Sequence, residues 1–361
     1  MELRYKGDFD KVLERFEAWW HCRIIDRPLV TVPAARAGPA RRLPEKTHAS
    51  LRQQRMDVEY AVDRFEASLE GQQFLADSLP RFLPNLGPEL TATLFGCELV
   101  FSESTSWSKP IAGSCREILD MQLDFENEYW TAIRELTDLS LQRGRGKWLT
   151  AITDLHTNGD LPAALRDPQA LCLEMADDID SVRAACDYVT DFFPRIYEDL
   201  YDRIAAAGQP SMTWIPAPHA GKMYATSCDL ICMISPEMFR TTILPCLIRE
   251  MRYLDRNIFH LDGPGALRHL DALLELPEMN GVQWIFGAGK GPARKWIDVY
   301  RRIQAARKNM QIHCESFDEA VWFTEHLRPE GVWLAVGRSY QRDEIEQFLR
   351  RMEGWAAGKR A

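Results

Sequence analysis

The chain has 361 residues, 46% of them hydrophobic and 27% charged, with a formal net charge of −9. That acidity counts against nucleic acid as a partner, since phosphate contacts need a basic face, and no apolar run approaches the ~20 residues that span a bilayer. Met1 to Asp8 lack a positive start followed by an apolar stretch, so the cytoplasm is the expected location; nine cysteines without CxxC pairs read as reduced thiols rather than a disulfide framework.

Residues 1–146 read as an N-terminal extension of helices and loops with the first strands, Pro28 to Val32 and Cys97 to Phe101. The stretch 34–50, rich in Ala, Gly, Pro and Arg, has the make-up of a long loop able to act as a lid. Over 147–361 the rhythm becomes regular. Short apolar runs of strand length, Trp148 to Thr153, Ser211 to Ile215, Asn257 to Leu261, Gly281 to Phe286, Met310 to Cys314 and Val332 to Val336, alternate with amphipathic stretches. Helices are expected near 179–206, 236–252, 264–276, 294–308, 316–327 and 341–355. The start at Ser235-Pro236-Glu237 is chemically explicit: a capping hydroxyl, proline at the first helical position, then an acid facing the helix dipole. Alternation of this kind favours parallel strands. The expected architecture is an α/β (β/α)8 TIM barrel forming a single domain over 1–361; an open doubly wound sheet is the competitor, weakened by the lack of a GxGxxG turn.

In a parallel barrel the chemistry gathers at the carboxyl ends of the strands. The polar residues there are Asp154 and His156, His260 and Asp262, Trp284, and His313-Cys314-Glu315. His260 and Asp262, two apart on a strand, share a face, with Leu261 on the other. Such a pair binds a metal or works as an oriented imidazole; a histidine satisfied by its neighbouring carboxylate at a rim is the structural alternative. Gly263-Pro264-Gly265 then turn the backbone sharply. Asp154 and His156 also share a face, although the following Asn158-Gly159-Asp160 marks a turn in which capping competes with catalysis. His313-Cys314-Glu315 reads more readily as a structural cysteine between polar rim residues, and His219 sits in a loop. Trp107, Trp214 and Trp284 have the size to wall a pocket, a role that core packing explains as well.

The run Cys228-Asp229-Leu230, Ser235-Pro236-Glu237-Met238-Phe239, Pro245 and His260-Leu261-Asp262-Gly263 resembles the uroporphyrinogen decarboxylase superfamily, which includes zinc-dependent methyltransferases acting on methyl-corrinoid proteins. The resemblance runs from about Pro28 to Trp355 and implies a barrel with a deep pocket at the carboxyl ends of its strands. The methyltransferase branch ends the matching strand in His-x-Cys-Gly, whose histidine and cysteine bind zinc, with a further cysteine near the carboxyl terminus. Here the positions are His260 and Asp262, the late region reads Ala335-Val336-Gly337-Arg338-Ser339, and Cys314, Cys228 or Glu315 remain to complete a site. A His/Asp set is harder than a thiolate set and suits oxygen ligands. The decarboxylase branch holds substrate carboxylates with an arginine-rich loop, echoed by Arg36 to Glu45, and uses an aspartate echoed by Asp77 in Leu75 to Leu79.

The resemblance thus implies a methyltransferase-like enzyme with a small-molecule substrate, working with a corrinoid protein. His260, Asp262 and Cys314 form the expected set for zinc or another divalent metal; Asp77, Asp154, His156, Asp229 and His260 are the catalytic candidates; Arg36, Arg41, Trp107, Trp214 and Trp284 are the substrate-binding candidates. A decarboxylase of a carboxylated tetrapyrrole or other acidic small molecule is the first alternative, and a non-catalytic corrinoid- or tetrapyrrole-binding barrel the second.

Overall fold

Among the described residues ten strands carry the framework: β1 Leu29–Thr31, β2 Arg81–Phe82, β3 Leu99–Phe101, β4 Ser106–Ser108, β5 Leu149–Thr150, β6 Met223–Ser227, β7 Arg256–Asp262, β8 Gly281–Ile285, β9 Asn309–Cys314 and β10 Val332–Val336. The structure is a computed structural model and describes residues 2–38 and 40–358. Pro39 of the expected 34–50 loop, and Met1 and 359–361 of the expected domain, lie outside the described residues.

Six strands form one parallel sheet in the order β1-β10-β9-β8-β7-β6, and β2 pairs in parallel with β5 in a second, two-stranded ladder. Backbone hydrogen bonds flank the gaps: Asp77 N donates to Val30 O at 2.8 Å and Ile152 N to Met212 O at 2.8 Å. Among the described residues the strands do not make one continuous closed ladder; the architecture is a mixed α/β fold around a central parallel sheet.

Most expected strands fall where apolar runs predict them, with two exceptions. Cys97 to Phe101 contributes β3, which pairs antiparallel with β4 in a hairpin outside the main sheet. Ser211 to Ile215 makes only an antiparallel bridge from Ser211 to His219. The sheet uses β6, Met223-Tyr224-Ala225-Thr226-Ser227, beside β7 instead, a segment with no run of β-branched aliphatic residues to mark it. The expected helix over 179–206 is two, Ile179–Thr190 and Phe193–Ala206, the second with Pro194 in its first turn, where no N–H is needed. Ser235 caps its helix as expected, its hydroxyl accepting from Met238 N at 3.2 Å. No helix among the described residues is long and apolar enough to cross a membrane, and all nine cysteines are free thiols.

Strand alternation sorts the core into two clusters. Phe259, Leu261, Val282, Trp284, Ile312, Cys314, Leu334 and Val336 face the helices. Met223, Ala225, Ile258, Trp333 and Leu29 face inward and pack with the N-terminal helix Phe9–Trp20. That helix covers the amino ends of the strands: Trp19 Nε1 donates to Gly331 O at 3.0 Å, and Trp20 Nε1 to Pro218 O at 3.2 Å. With that end plugged, the polar inward residues lie toward the carboxyl ends.

Candidate functional site

Above the apolar inward layer, strand register sets four polar residues on neighbouring strands: Ser227 beside His260, His260 beside Gln283, and Gln283 beside Gln311. His260 Nδ1 donates to Gln283 Oε1 at 2.5 Å. The Gln283 amide in turn donates to Gln311 Oε1, which also lies 3.2 Å from His313 Nε2. With its Nδ1 engaged by that amide oxygen, the His260 ring leaves Nε2 for another partner, the arrangement a metal-binding histidine uses.

His260 lines a cavity of about 320 Å³ together with Asp154, His156, Trp214, Ser227 and Asp229. The Trp214 ring meets His260 edge-on at 6.1 Å. Asp229, His260 and Asp262 each offer a ligand atom, and these atoms all lie within 4.8 Å of one another. Chain packing brings the two aspartate-bearing segments together. Asp160 accepts from the N–H groups of Asp229 and Leu230, each at 2.9 Å, fixing the turn after β6, while Cys232 Sγ donates to Asp262 O at 3.1 Å. A Cβ on Gly265 would sit 3.2 Å from Cys232 O and 3.4 Å from Cys232 Cβ, so a side chain there would push the segments apart. Gly263, with φ +73°, makes the turn out of β7.

Electrostatically the cavity is a histidine among acids. His156 Nε2 lies 3.3 Å from Asp154 Oδ1, out of line for a good hydrogen bond, and its Nδ1 3.8 Å from Asp160 Oδ2. Burial works against charge on His156, but the carboxylates of Asp154, Asp160 and Asp229 outweigh it and lift its pKa to about 10. It is an imidazolium at neutral pH. Burial and the Asp160 carboxylate push the Asp229 carboxyl up, against the pull of His156 and His260.

The remaining candidates are spread more widely. Cys314 faces the helix layer within the apolar core, on the side of β9 opposite His313, so the residue that groups with His260 and Asp262 is Asp229 rather than Cys314. Trp284 is fully buried in the same layer, 5.3 Å from Trp296, and lines no cavity of the site. Trp107 is 48% exposed on the β3–β4 hairpin. Asp77 is buried and committed to ion pairs with Arg27 and Arg15 and to the Val30 N–H, so it offers no free carboxylate. Arg36 borders a second cavity but donates to Glu70 O and Ser68 O, and Arg41 is exposed, 4.0 Å from Glu70. Glu315 N is held by Glu319, and His219 pairs with Ser211 beside Trp20 at the opposite end of the strands. Sequence reasoning passed over Gln283, Gln311 and Glu250, and read Asp160 only as part of a turn. A glutamine two residues before His313 on one strand, and another on the adjacent strand, was the available signal.

Fold and site together define a class: an α/β protein whose parallel sheet opens at its carboxyl end on a carboxylate–histidine pocket. No family model matches the sequence, and no curated protein matches it. Among solved structures 23 chains match. One is a methyltransferase from Methanosarcina mazei, similar with a TM-score of 0.60 over 95% of this chain and 98% of that chain, at 12% sequence identity. That likeness is one of fold.

Proposed function

We propose that this chain is a methyltransferase-like enzyme in which Asp229, His260 and Asp262 hold zinc or another divalent cation beside a small-molecule substrate, with a corrinoid carried by a partner protein as the methyl donor or acceptor. The observation that carries the reading is the convergence of those three ligand atoms at a cavity where Gln283 already orients His260. The donor set of two carboxylates and one imidazole fits a hard or borderline divalent ion. When bound there, such an ion supplies Lewis acidity that lowers the pKa of a coordinated substrate group. The protein groups do the rest: Gln283 fixes the His260 ring, the His156 charge offsets the crowded carboxylates, and Trp214 supplies an apolar wall. The strand order and the hydrogen bonds at Val30 and Met212 favour a (β/α)8 barrel with interrupted ladders, and the fold likeness to a methyltransferase is in keeping with the reaction class. A decarboxylase has less support, because Asp77 is spent in ion pairs.

The test is metal titration of chelator-treated protein with zinc, run beside His260→Ala and Asp262→Ala, together with methylcobalamin demethylation followed by absorbance. Stoichiometric zinc in the wild type, lost in both variants, is the expected result. Equal or negligible zinc in all three would remove the metal, and corrinoid binding without turnover would point to a non-catalytic barrel.

A further inference from the structure

A second cavity, of about 590 Å³, opens at the carboxyl ends of β1, β9 and β10. Its lining includes Arg36, Arg81, Gln73, Gln311 and His313, and no aspartate or glutamate. In a chain of net charge −9 this is unexpected, and it contrasts with the first cavity, lined by Asp154 and Asp229. Gln311 and His313 belong to the same hydrogen-bonded group as Gln283 and His260, so the two cavities are neighbours separated by those amides.

Arg81, on β2, is the group that lacks a reason to be there. Its Nη1 donates to Thr213 O at 2.8 Å, and among the described residues no carboxylate stands within ion-pair distance. Burial pulls its pKa down to about 10, with no acid to offset the cost of desolvation. Half-buried on the cavity wall with no carboxylate beside it, the guanidinium presents N–H groups that match the paired oxygens of a carboxylate or phosphate. His313 does not compete as a cation: burial and His260 pull its pKa down to about 4, leaving it neutral. Arg36, at the rim, is already bonded to main-chain carbonyls.

We propose that Arg81 anchors an anion subsite, and that the small-molecule substrate carries a carboxylate or phosphate at its non-reacting end, seated on Arg81 while its reacting end lies at Asp229, His260 and Asp262. The subsite stands on the second cavity alone; only its assignment to the far end of the substrate rests on the function proposed above. The substrate is then a bifunctional molecule, anionic at one end, laid across the two cavities of opposite sign.

The experiment is calorimetric titration of chelator-treated protein with inorganic phosphate and, separately, acetate, followed by zinc titration of the same variants. Saturable binding of one anion to the wild type is expected, weakened about tenfold or more in Arg81→Gln, with zinc affinity unchanged. The preferred anion identifies the group as phosphoryl or carboxylate. Should Arg81→Gln fail to fold, Gln311→Glu places an isosteric carboxylate in the same cavity and is expected to expel the anion. No saturable anion binding to the wild type, or wild-type affinity in whichever of these variants folds, would overturn the proposal. Because anion and zinc binding are read separately, loss of the metal reading leaves this result intact, and the reverse holds.

Discussion

The amide of Gln283 lies between His260 and Gln311, buried on the inward face of β8. By accepting from Nδ1 it sets which nitrogen of His260 is left to share a cation with Asp229 and Asp262. Replacing such an orienting partner of a metal ligand characteristically weakens affinity about 10–100-fold. Gln283→Leu is therefore expected to lower zinc affinity by about that factor in a competition titration, and Gln283→Glu, which keeps an acceptor for Nδ1, to restore most of it. Unchanged affinity in Gln283→Leu would mean that His260 is oriented by something else. At this scale the sequence was legible where two residues on one strand point the same way, as with His260 and Asp262. Asp229 stood among the catalytic candidates, but its place beside His260 and Asp262 was not legible, because it depends on Asp160 holding the turn after β6, a contact 69 residues apart in sequence.

Between elements, Asp77 shows how a residue that resembles a catalytic acid serves the framework. Its carboxylate accepts from Arg27 at 2.5 Å and 3.1 Å, from Arg15 at 3.3 Å and from Val30 N at 2.8 Å, joining β1 to the helix Phe9–Trp20. Removing one partner of a buried pair strands the other charge and costs about 3–5 kcal/mol. Asp77→Asn should lose about that much stability in urea unfolding while the folded fraction binds zinc as the wild type does. A loss below about 1 kcal/mol would show that the pairs contribute little, and selective loss of turnover would return Asp77 to the active site. Element types were legible wherever apolar period and length agreed, as at β9 and β10. Trp284 and Cys314 show the limit: each sits near a strand end, yet register turns both toward the helices, and a shift of a single residue decides between cavity and core.

Over the whole molecule, polar atoms concentrate at one end of the sheet while the N-terminal helix and its tryptophans seal the other. Glu250, on the helix Leu244–Tyr253, ties that polar end to the outer layer: it accepts from Asn158 Nδ2 at 3.0 Å and from the Thr157 hydroxyl, and Asn158 Nδ2 also donates to Ser227 O at 3.0 Å. Burial lifts the Glu250 carboxyl to about 7 against the pull of those two donors, with Asp160 raising it further and His156 lowering it. In the unfolded chain the same group ionises near 4.5. The native state therefore holds this proton more tightly, so the contribution of Glu250 to stability is complete below about 4.5 and is lost as pH rises through about 7. Glu250→Gln keeps the shape and an acceptor for Asn158 but has no proton to lose. Urea midpoints measured from about pH 5 to about pH 8 should show the wild type losing stability relative to Glu250→Gln across that window. A constant difference between the two across the same range would mean that Glu250 is ionised throughout, with the Asn158 and Thr157 donors and the His156 charge sufficient to hold a buried carboxylate in the native fold.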